Sequence, residues 1–417
     1  MMEKKKRTKK HKLNILWLSV SPHCRSGYGN VTKNIVFRLH QRGWPIIIAA
    51  YYGISEGGML KLGGVPIFPI YNGEKEYGRK AVPYYVKAFN IDLPILFSDF
   101  WRFSWFPKLR NSTFYGPIDH SEYGLQHQKT LKRYNEFITI SKFGRREAQK
   151  YGRMTRMIPH GVDTQVFKPL NRSTCREHFG FRNDKFIIGM VAANNDPEPR
   201  KGWDKMFMGL KIFFEEHPKL EKEVFVFAYT KSQHLRGFDL PGLAQSIGVD
   251  KNVFFPDRMT ELVGLPESEM AMLYSSFDLL MNCARREGFG LCMLEAMACG
   301  VPVIGTKFSS MPELIKGHGW LVKSRDWMYT PLNGKCAVPD QDDIAKKLEE
   351  AYFNSKKRLQ YGKLSRNFAK KYEWDRLITN LWEPFLKEKE RELGEGGEDA
   401  KTLEIKLPKD WMKAEHF

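Results

Sequence analysis

The stretch Arg286-Glu287-Gly288-Phe289-Gly290-Leu291-Cys292-Met293-Leu294-Glu295-Ala296-Met297-Ala298-Cys299-Gly300-Val301-Pro302-Val303-Ile304-Gly305 decides the fold of this chain. Just ahead of it, Leu279-Leu280-Met281-Asn282 reads as the end of a buried strand. Residues 287–290 form a loop with two glycines, which let a ligand approach the backbone closely. Residues 291–299 are rich in Leu, Met, Ala and Glu, strong helix formers. Gly300 suits a left-handed helix stop, and Pro302 cannot continue the helix. Residues 301–304 then read as a short buried parallel strand.

Two carboxylates stand eight positions apart, Glu287 on the loop and Glu295 about one turn into the helix. The helix start directs unpaired N–H groups and a partial positive charge at whatever lies above the loop. An anion such as a phosphate suits that place. Taken alone, two spaced glutamates are more often a surface residue and a solvated helix residue. The flanking residues decide the matter, as set out below.

Length and charge set the outer bounds. A chain of 417 residues is more naturally two domains than one. A formal charge of +19 is compatible with nucleic acid, a membrane surface or a phosphorylated substrate. Much of the excess is local, because residues 4–12 hold seven Lys or Arg and no acid. Such a run reads first as a solvated tail, then as a tether to an anionic membrane, and last as a nucleic-acid arm. No apolar run approaches the roughly 18 residues that span a bilayer. The basic start followed by apolar residues 13–20 imitates a signal peptide, but a glycine loop and a helix continue it, so strand one is the better reading. Six cysteines show neither CxxC pairs nor histidines at metal spacing, which favours a reduced, cytosolic protein.

In chain order, 13–20 is strand one, 26–30 a glycine turn with Gly27 and Gly29, 31–42 an amphipathic helix and 45–51 strand two. Residues 93–97 form a further strand, followed by the aromatic run 100–106. That run is either a loop packed on its domain or a greasy surface for an acceptor or membrane. Residues 114–118 lead into Asp119-His120-Ser121-Glu122-Tyr123. Residues 185–193 are an apolar strand, 194–199 a loop, and Arg200-Lys201-Gly202-Trp203-Asp204 opens a helix to 214. Basic residues at a helix start oppose its dipole, so a bound anion is a reasonable explanation. Strands at 224–229 and 278–282 and a helix at 270–276 follow. Asp340-Gln341-Asp342 imitates a metal-binding D-x-D, but it precedes a helix at 344–353 and reads as a cap. Residues 372–386 are amphipathic and helical, and beyond Gly394 the chain is a charged, glycine-rich tail.

The run from Glu287 to Thr306 resembles, nearly residue for residue, the E-x7-E signature of retaining glycosyltransferases of family 4, with the GT-B fold. Residues 157–169, with Ile158-Pro159-His160-Gly161-Val162-Asp163 and Pro169, resemble the family pattern I-P-N-G-V-D-x-x-x-F-x-P, with His160 in place of Asn. The resemblance covers about 13–390. It implies an α/β GT-B architecture, two doubly wound Rossmann-like domains facing a central cleft. The division expected is a basic tail at 1–12, an acceptor-side domain at 13–170, and a nucleotide-sugar domain at 180–372. A crossover helix at 373–390 packs back on the first domain, and a charged tail occupies 391–417.

The resemblance further implies transfer of a sugar, with retention and without a metal or other cofactor, from a nucleotide-diphosphate sugar such as a UDP- or GDP-sugar. The acceptor is a glycan, a lipid or a small molecule. Glu287 and His120 are the implied catalytic residues at the sugar. Gly27, Gly29, Arg200, Lys201, Arg258, Gly288, Phe289, Gly290, Leu291 and Glu295 are implied at the donor, with Glu295 on the ribose and the loops after 229 and 255 on the base. Lys201-Gly202 matches the end of the family's G-R-x4-K-G loop, whereas its Arg is replaced by Asn194 or Asn195, and Arg200 is the substitute. The expected location is cytoplasmic, peripheral at the inner membrane face through residues 4–12, with nucleic acid disfavoured. The rivals are a phosphorylase or epimerase on the same fold, and a non-catalytic nucleotide-sugar, membrane or nucleic-acid binding protein.

Overall fold

The computed structural model describes residues 12–54, 58–70 and 77–394. The basic run at 4–12, apart from Lys12, and the tail beyond 394 lie outside the described residues. Packing divides the chain into two units. The first is Met1–Gly116 with Thr130–Ile138 and Leu377–Phe417, and the second is Pro117–Lys129 with Thr139–Arg376.

In the first unit the strands are β1 (Ile15–Val20), β2 (Ile46–Tyr52), β3 (Leu60–Leu62), β4 (Val65–Pro69), β5 (Leu93–Phe97), β6 (Thr113–Gly116) and most of β7 (Glu136–Thr139). Their order across the sheet is β3-β4-β2-β1-β5-β6-β7. β1 pairs in parallel with β2 on one side and β5 on the other. All six residues of β1 are buried, as a central parallel strand covered on both faces requires. The first helix, Gly27–Gln41, starts earlier than the spacing suggests, because Ser26 caps it by accepting from the Gly29 N–H at 3.1 Å. Both glycines therefore belong to the first turn rather than to a preceding loop. A Cβ on Gly29 would lie 2.1 Å from the Cys24 carbonyl oxygen, so the turn can close only on glycine.

The aromatic run at 100–106 resolves in favour of packing. Phe100, Phe103 and Phe106 are fully buried, and Phe100 meets Phe114 and Phe137 edge-on. Residues 377–394 close the same unit. Trp382 is fully buried, 5.6 Å from the Trp17 ring and 4.8 Å from the Tyr115 ring. Arg42 donates to Thr379 at 2.6 Å and pairs with Glu383 at 3.2 Å. The single helix expected over 372–386 is broken into Trp374–Leu377, a wider π-turn at Ile378–Trp382, and Glu383–Gly394. The wider turn carries Ile378 and Trp382 into the core together.

The second unit holds β8 (Arg156–Met157), β9 (Phe186–Val191), β10 (Val224–Tyr229), β11 (Val253–Phe254), β12 (Leu279–Asn282), β13 (Val303–Thr306), β14 (Trp320–Val322), β15 (Ser324–Tyr329) and β16 (Lys335–Pro339). Six of these form a parallel sheet in the order β11-β10-β9-β12-β13-β14. The chain runs outward from β9 to β11, then returns to the other side of β9 with β12. The gap between β9 and β12 is therefore the topological switch point, where open α/β sheets bind ligands at the carboxyl ends of their strands. β13 starts two residues later than expected, because the Val301 N–H still bonds back to the Ala296 carbonyl and Pro302 has no N–H to give.

Beneath the sheet, the helix Trp203–Glu216 buries Trp203, Met206, Phe207, Leu210 and Phe213 in the core. It crosses the helix Gln341–Phe353 so closely that a Cβ on Gly209 would lie 2.4 Å from Ile344. Asp340 caps that second helix by accepting from the Asp342 N–H at 3.0 Å, and Asp342 pairs with Arg325. β15 and β16 form a separate antiparallel hairpin. Among the described residues, no helix is long and apolar enough to cross a membrane.

The fully buried Trp382 anchors the returning C-terminal segment, and truncating such a side chain costs about 3–5 kcal/mol. Trp382→Ala should therefore lower unfolding free energy by about that amount in chemical denaturation. A loss below about 1 kcal/mol would mean that 377–394 does not hold the first unit together.

Candidate functional site

The switch point of the second unit brings two loops together, 192–202 after β9 and 283–290 after β12. Each ends in a left-handed glycine that starts a helix, Gly202 with φ 68° before Trp203–Glu216 and Gly290 with φ 100° before Leu291–Ala298. Neither helix has a capping side chain, so the amides of both first turns keep their donor capacity. The loops are pinned to each other. The Arg285 N–H donates to the Arg200 carbonyl at 2.8 Å, and the Arg285 side chain donates to the Pro199 carbonyl and pairs with Asp204 at 2.6 Å. A Cβ on Gly202 would lie 2.3 Å from the Cys283 carbonyl oxygen, so only glycine allows this approach.

On this frame sits a largely buried ion pair, the Lys201 ammonium against the Glu287 carboxylate. The Glu287 N–H donates to Ser309 Oγ at 2.9 Å, and its carbonyl accepts from Ser310 Oγ at 2.9 Å, which fixes the loop from beneath. Arg200 binds Asp196 at 2.5 Å. Burial works against its charge, but Asp196, Glu287 and Asp119 around it hold the guanidinium firmly protonated. Arg200 thus belongs to the cluster. Asn194 does not, since its amide is spent on the Lys231 and Phe238 carbonyls and the Phe238 N–H.

His120 lies in this second unit together with Glu287, whereas the division expected from sequence placed it in the first. Ser121 bridges to Lys335 of the hairpin, and a Cβ on Gly288 would lie 2.4 Å from Pro117 Cβ. These contacts draw residues 117–129 to the second unit. The ring of His120 is buried, with Nδ1 2.7 Å from Asp119 Oδ1 and Nε2 3.1 Å from Thr330 Oγ1. Asp119 also faces Arg286 at 3.4 Å, and Arg286 pairs with Glu198 at 2.9 Å. Burial opposes the charge on Asp119, yet His120, Arg286 and Arg200 hold its carboxyl well below the usual carboxylate range.

Glu295 is one turn into its helix and accepts from the Tyr274 hydroxyl at 2.8 Å. Burial raises its carboxyl to about 7, and the Tyr274 hydrogen bond only partly offsets this. Between the two glutamates, the Cys292 thiol feels Glu287, Lys201 and Glu295, and burial pushes it to about 12. Phe289 is buried edge-on against His160, and Leu291 is the first residue of its helix. Burial drives His160 down to about 3, which keeps it a neutral packing ring. Gly161 fits where a Cβ would strike Trp374 at 2.6 Å, so the 157–169 segment serves docking within its unit.

Arg258 stands apart, exposed at the start of the short helix Arg258–Val263, whose cap is Asp257. Gly27 and Gly29 lie in the first unit, in the capped turn already described. Among the described residues, no cluster of three His, Cys, Asp or Glu could hold a metal ion. Sequence reasoning missed Asp119, Glu198, Arg286 and Thr330. Asp119 and Arg286 adjoin His120 and Glu287 in the chain, so adjacency was a usable signal. Thr330 is separated from His120 by 210 positions and offered none.

Two measurements check this geometry. Breaking one half of a buried ion pair leaves an uncompensated charge, at a cost of about 3 kcal/mol. Lys201→Met and Glu287→Leu should each destabilise by about that much, with the double variant at least about 1 kcal/mol better than their sum. Strict additivity in denaturant melts would show that the two charges do not interact. The second concerns Glu295, whose folded value of about 7 lies above the ordinary 4.5. The fold then binds a proton more tightly than the unfolded chain, so this stability is complete below pH 4.5 and lost as pH rises through 7. Glu295→Gln should gain on the wild type across that window and stay level above it. A gap independent of pH would refute the raised value.

The family model for "Glycosyl transferases group 1" matches residues 205–351. A D-inositol 3-phosphate glycosyltransferase of Mycobacteroides abscessus is 28% identical over 182 residues, 41% of this chain and 37% of that protein. The N-acetyl-alpha-D-glucosaminyl L-malate synthase of Bacillus anthracis is 40% identical over 158 residues, 38% of this chain and 36% of that protein. The chain thus spans well under half the length of these curated relatives. Likeness in structure extends much further. Sucrose-phosphate synthase of Thermosynechococcus elongatus superimposes with a TM-score of 0.73 at 15% identity, over 93% of this chain and all of that one. Anabaena HepE in complex with UDP-glucose gives 0.66 at 16% identity, over 89% and 99%. Residues 205–351, which hold the E-x7-E stretch at the switch point of the second sheet, are thus similar to the group 1 glycosyl transferases, and the solved structures show that the chain has the GT-B fold.

Proposed function

We propose that this protein is a retaining glycosyltransferase that moves a sugar from a nucleotide-diphosphate sugar to a glycan, lipid or small-molecule acceptor. The observation that carries the reading is the Lys201–Glu287 pair, set with Arg200 at two helix starts that lack capping side chains. The chemical difficulty of such a transfer is the negative charge that grows on the departing diphosphate. Lys201, Arg200 and the amides after Gly290 supply fixed positive potential where water is displaced, which makes it effective. We therefore read the reaction as independent of a metal, the protein's own cations taking that task.

Donor binding would exchange partners within the site. The diphosphate takes Lys201, and Glu287 turns to the hydroxyls of the sugar. Glu295 accepts from the ribose, a role that needs its carboxylate form. Phe289, Gly288 and Leu291 shape the loop around the donor, and His120 acts beside Glu287 at the sugar. Arg258 serves the base. A structural neighbour described in complex with UDP-glucose supports a nucleotide sugar as the donor. The six thiols are all unpaired, which fits a reducing compartment. We infer a cytoplasmic enzyme.

Purified protein should transfer sugar from at least one member of a UDP-, GDP-, ADP- and dTDP-sugar panel in excess EDTA. Glu287→Ala should lower kcat by about a hundredfold or more while the Kd of the nucleoside diphosphate changes less than about threefold. Loss of transfer in EDTA with recovery on adding magnesium or manganese would overturn the metal-free reading. Wild-type turnover in Glu287→Ala would remove that residue from the sugar site.

A further inference from the structure

The hairpin β15–β16 has no role in the reaction as set out above, yet its tip reaches the buried ring of His120. Its turn is Thr330-Pro331-Leu332-Asn333-Gly334. The Thr330 N–H bonds to the Gly334 carbonyl at 2.9 Å, and the Asn333 N–H to the Thr330 carbonyl at 2.8 Å. Asn333 takes a left-handed φ of 53°, which closes the turn tightly. Thr330 is 4% exposed and His120 2%. A Cβ on Gly334 would lie 2.6–2.8 Å from three carbons of the His120 side chain, so the turn seats the ring in a slot that only glycine leaves open.

The proton positions follow from the partners. The Asp119 carboxylate is an acceptor only, so the nitrogen facing it, Nδ1, carries the hydrogen. In the neutral ring Nε2 is left with a lone pair. Thr330 Oγ1 accepts from the Leu332 N–H at 3.3 Å, and its own hydrogen can be donated to the lone pair of Nε2 in that tautomer. Asp119 is in turn held by Arg286, the residue before Glu287. A continuous chain of polar contacts thus runs from the hairpin tip through His120 and Asp119 to the Glu287 loop.

We propose that Thr330 is a positioning residue for sugar transfer, fixing His120 in one orientation and in its Nδ1–H tautomer through the hairpin turn that Gly334 permits. It acts through His120 and does not itself touch the reacting atoms, because its hydroxyl is enclosed. This inference rests on the glycosyltransferase reading for its kinetic arm, whereas its tautomer arm stands on geometry alone.

The test uses the full chain, with Thr330→Val, Thr330→Ser and Gly334→Ala. Valine keeps the shape and removes the hydroxyl, and serine restores the hydroxyl. With 15N-labelled histidine, NMR should show His120 as the Nδ1–H form in wild type and Thr330→Ser, and a changed tautomer balance in Thr330→Val. Thr330→Val should lower kcat roughly tenfold or more, as loss of an orienting partner generally does, with donor KM within about twofold and recovery in Thr330→Ser. Gly334→Ala should lower kcat in the same way. A Nδ1–H signal that is unchanged in Thr330→Val, or wild-type kcat in that variant, would overturn the proposal. So would equal losses in Val and Ser, since those would reflect packing rather than the hydroxyl. If wild type transfers from no nucleotide sugar, the functional reading fails, and the NMR comparison alone then decides whether Thr330 orients His120.

Discussion

The second unit depends on one constraint, the close approach of two loops at the switch point of its sheet. Gly202 lies against the Cys283 carbonyl with no room for a Cβ, and the Arg285 N–H closes on the Arg200 carbonyl. Because of this contact Lys201 and Glu287, 86 residues apart in sequence, meet as a buried pair. Burying two charges costs several kcal/mol per ion unless geometry and hydrogen bonds compensate. A pair kept under that cost at a ligand-binding position in the sheet is better explained by a task than by stability.

The electrostatics around this pair are sorted by environment. Asp119, flanked by Arg286, Arg200 and His120, stays ionised despite burial. Glu295, with a phenol as its partner and no cation beside it, is raised by burial to about 7. Two carboxylates in one unit are thus shifted in opposite directions by their neighbours, a pattern found where groups have separate duties. The helix starts after Gly202 and Gly290 add oriented amides to the same region.

The first unit shows a different economy. Its core is aromatic, with Trp17 and Tyr115 each in ring contact with Phe97, with Trp382 and with one another. The aromatic run at 100–106, open to a surface role on sequence alone, has its three phenylalanines in that interior. Residues 377–394 complete this unit although the preceding residues belong to the other. The chain returns to its starting domain through a π-turn that turns Ile378 and Trp382 inward.

Much of this was legible in the sequence because it is encoded locally. The apolar run 93–97 became a strand at those residues, since a strand buried on both faces needs no pattern beyond apolarity, and 224–229 became one that buries every second residue. Gly290 and Gly300 mark the ends of one helix because left-handed φ values of 100° and 78° favour glycine. The glutamate spacing and the Lys201-Gly202 step follow from the same local chemistry. Tertiary structure alone decided what depends on distant partners. Strand β15 is largely exposed and lacks an alternating pattern, so nothing in its sequence announces a strand. The unit to which His120 belongs is set by contacts with Thr330, Lys335 and the Glu287 loop, far away in sequence. The raised carboxyl of Glu295 comes from burial, which the same residue on an exposed helix would not have. A residue type fixes which bonds and charges are available, and only the folded neighbourhood fixes which of them are satisfied, paired or withdrawn from water.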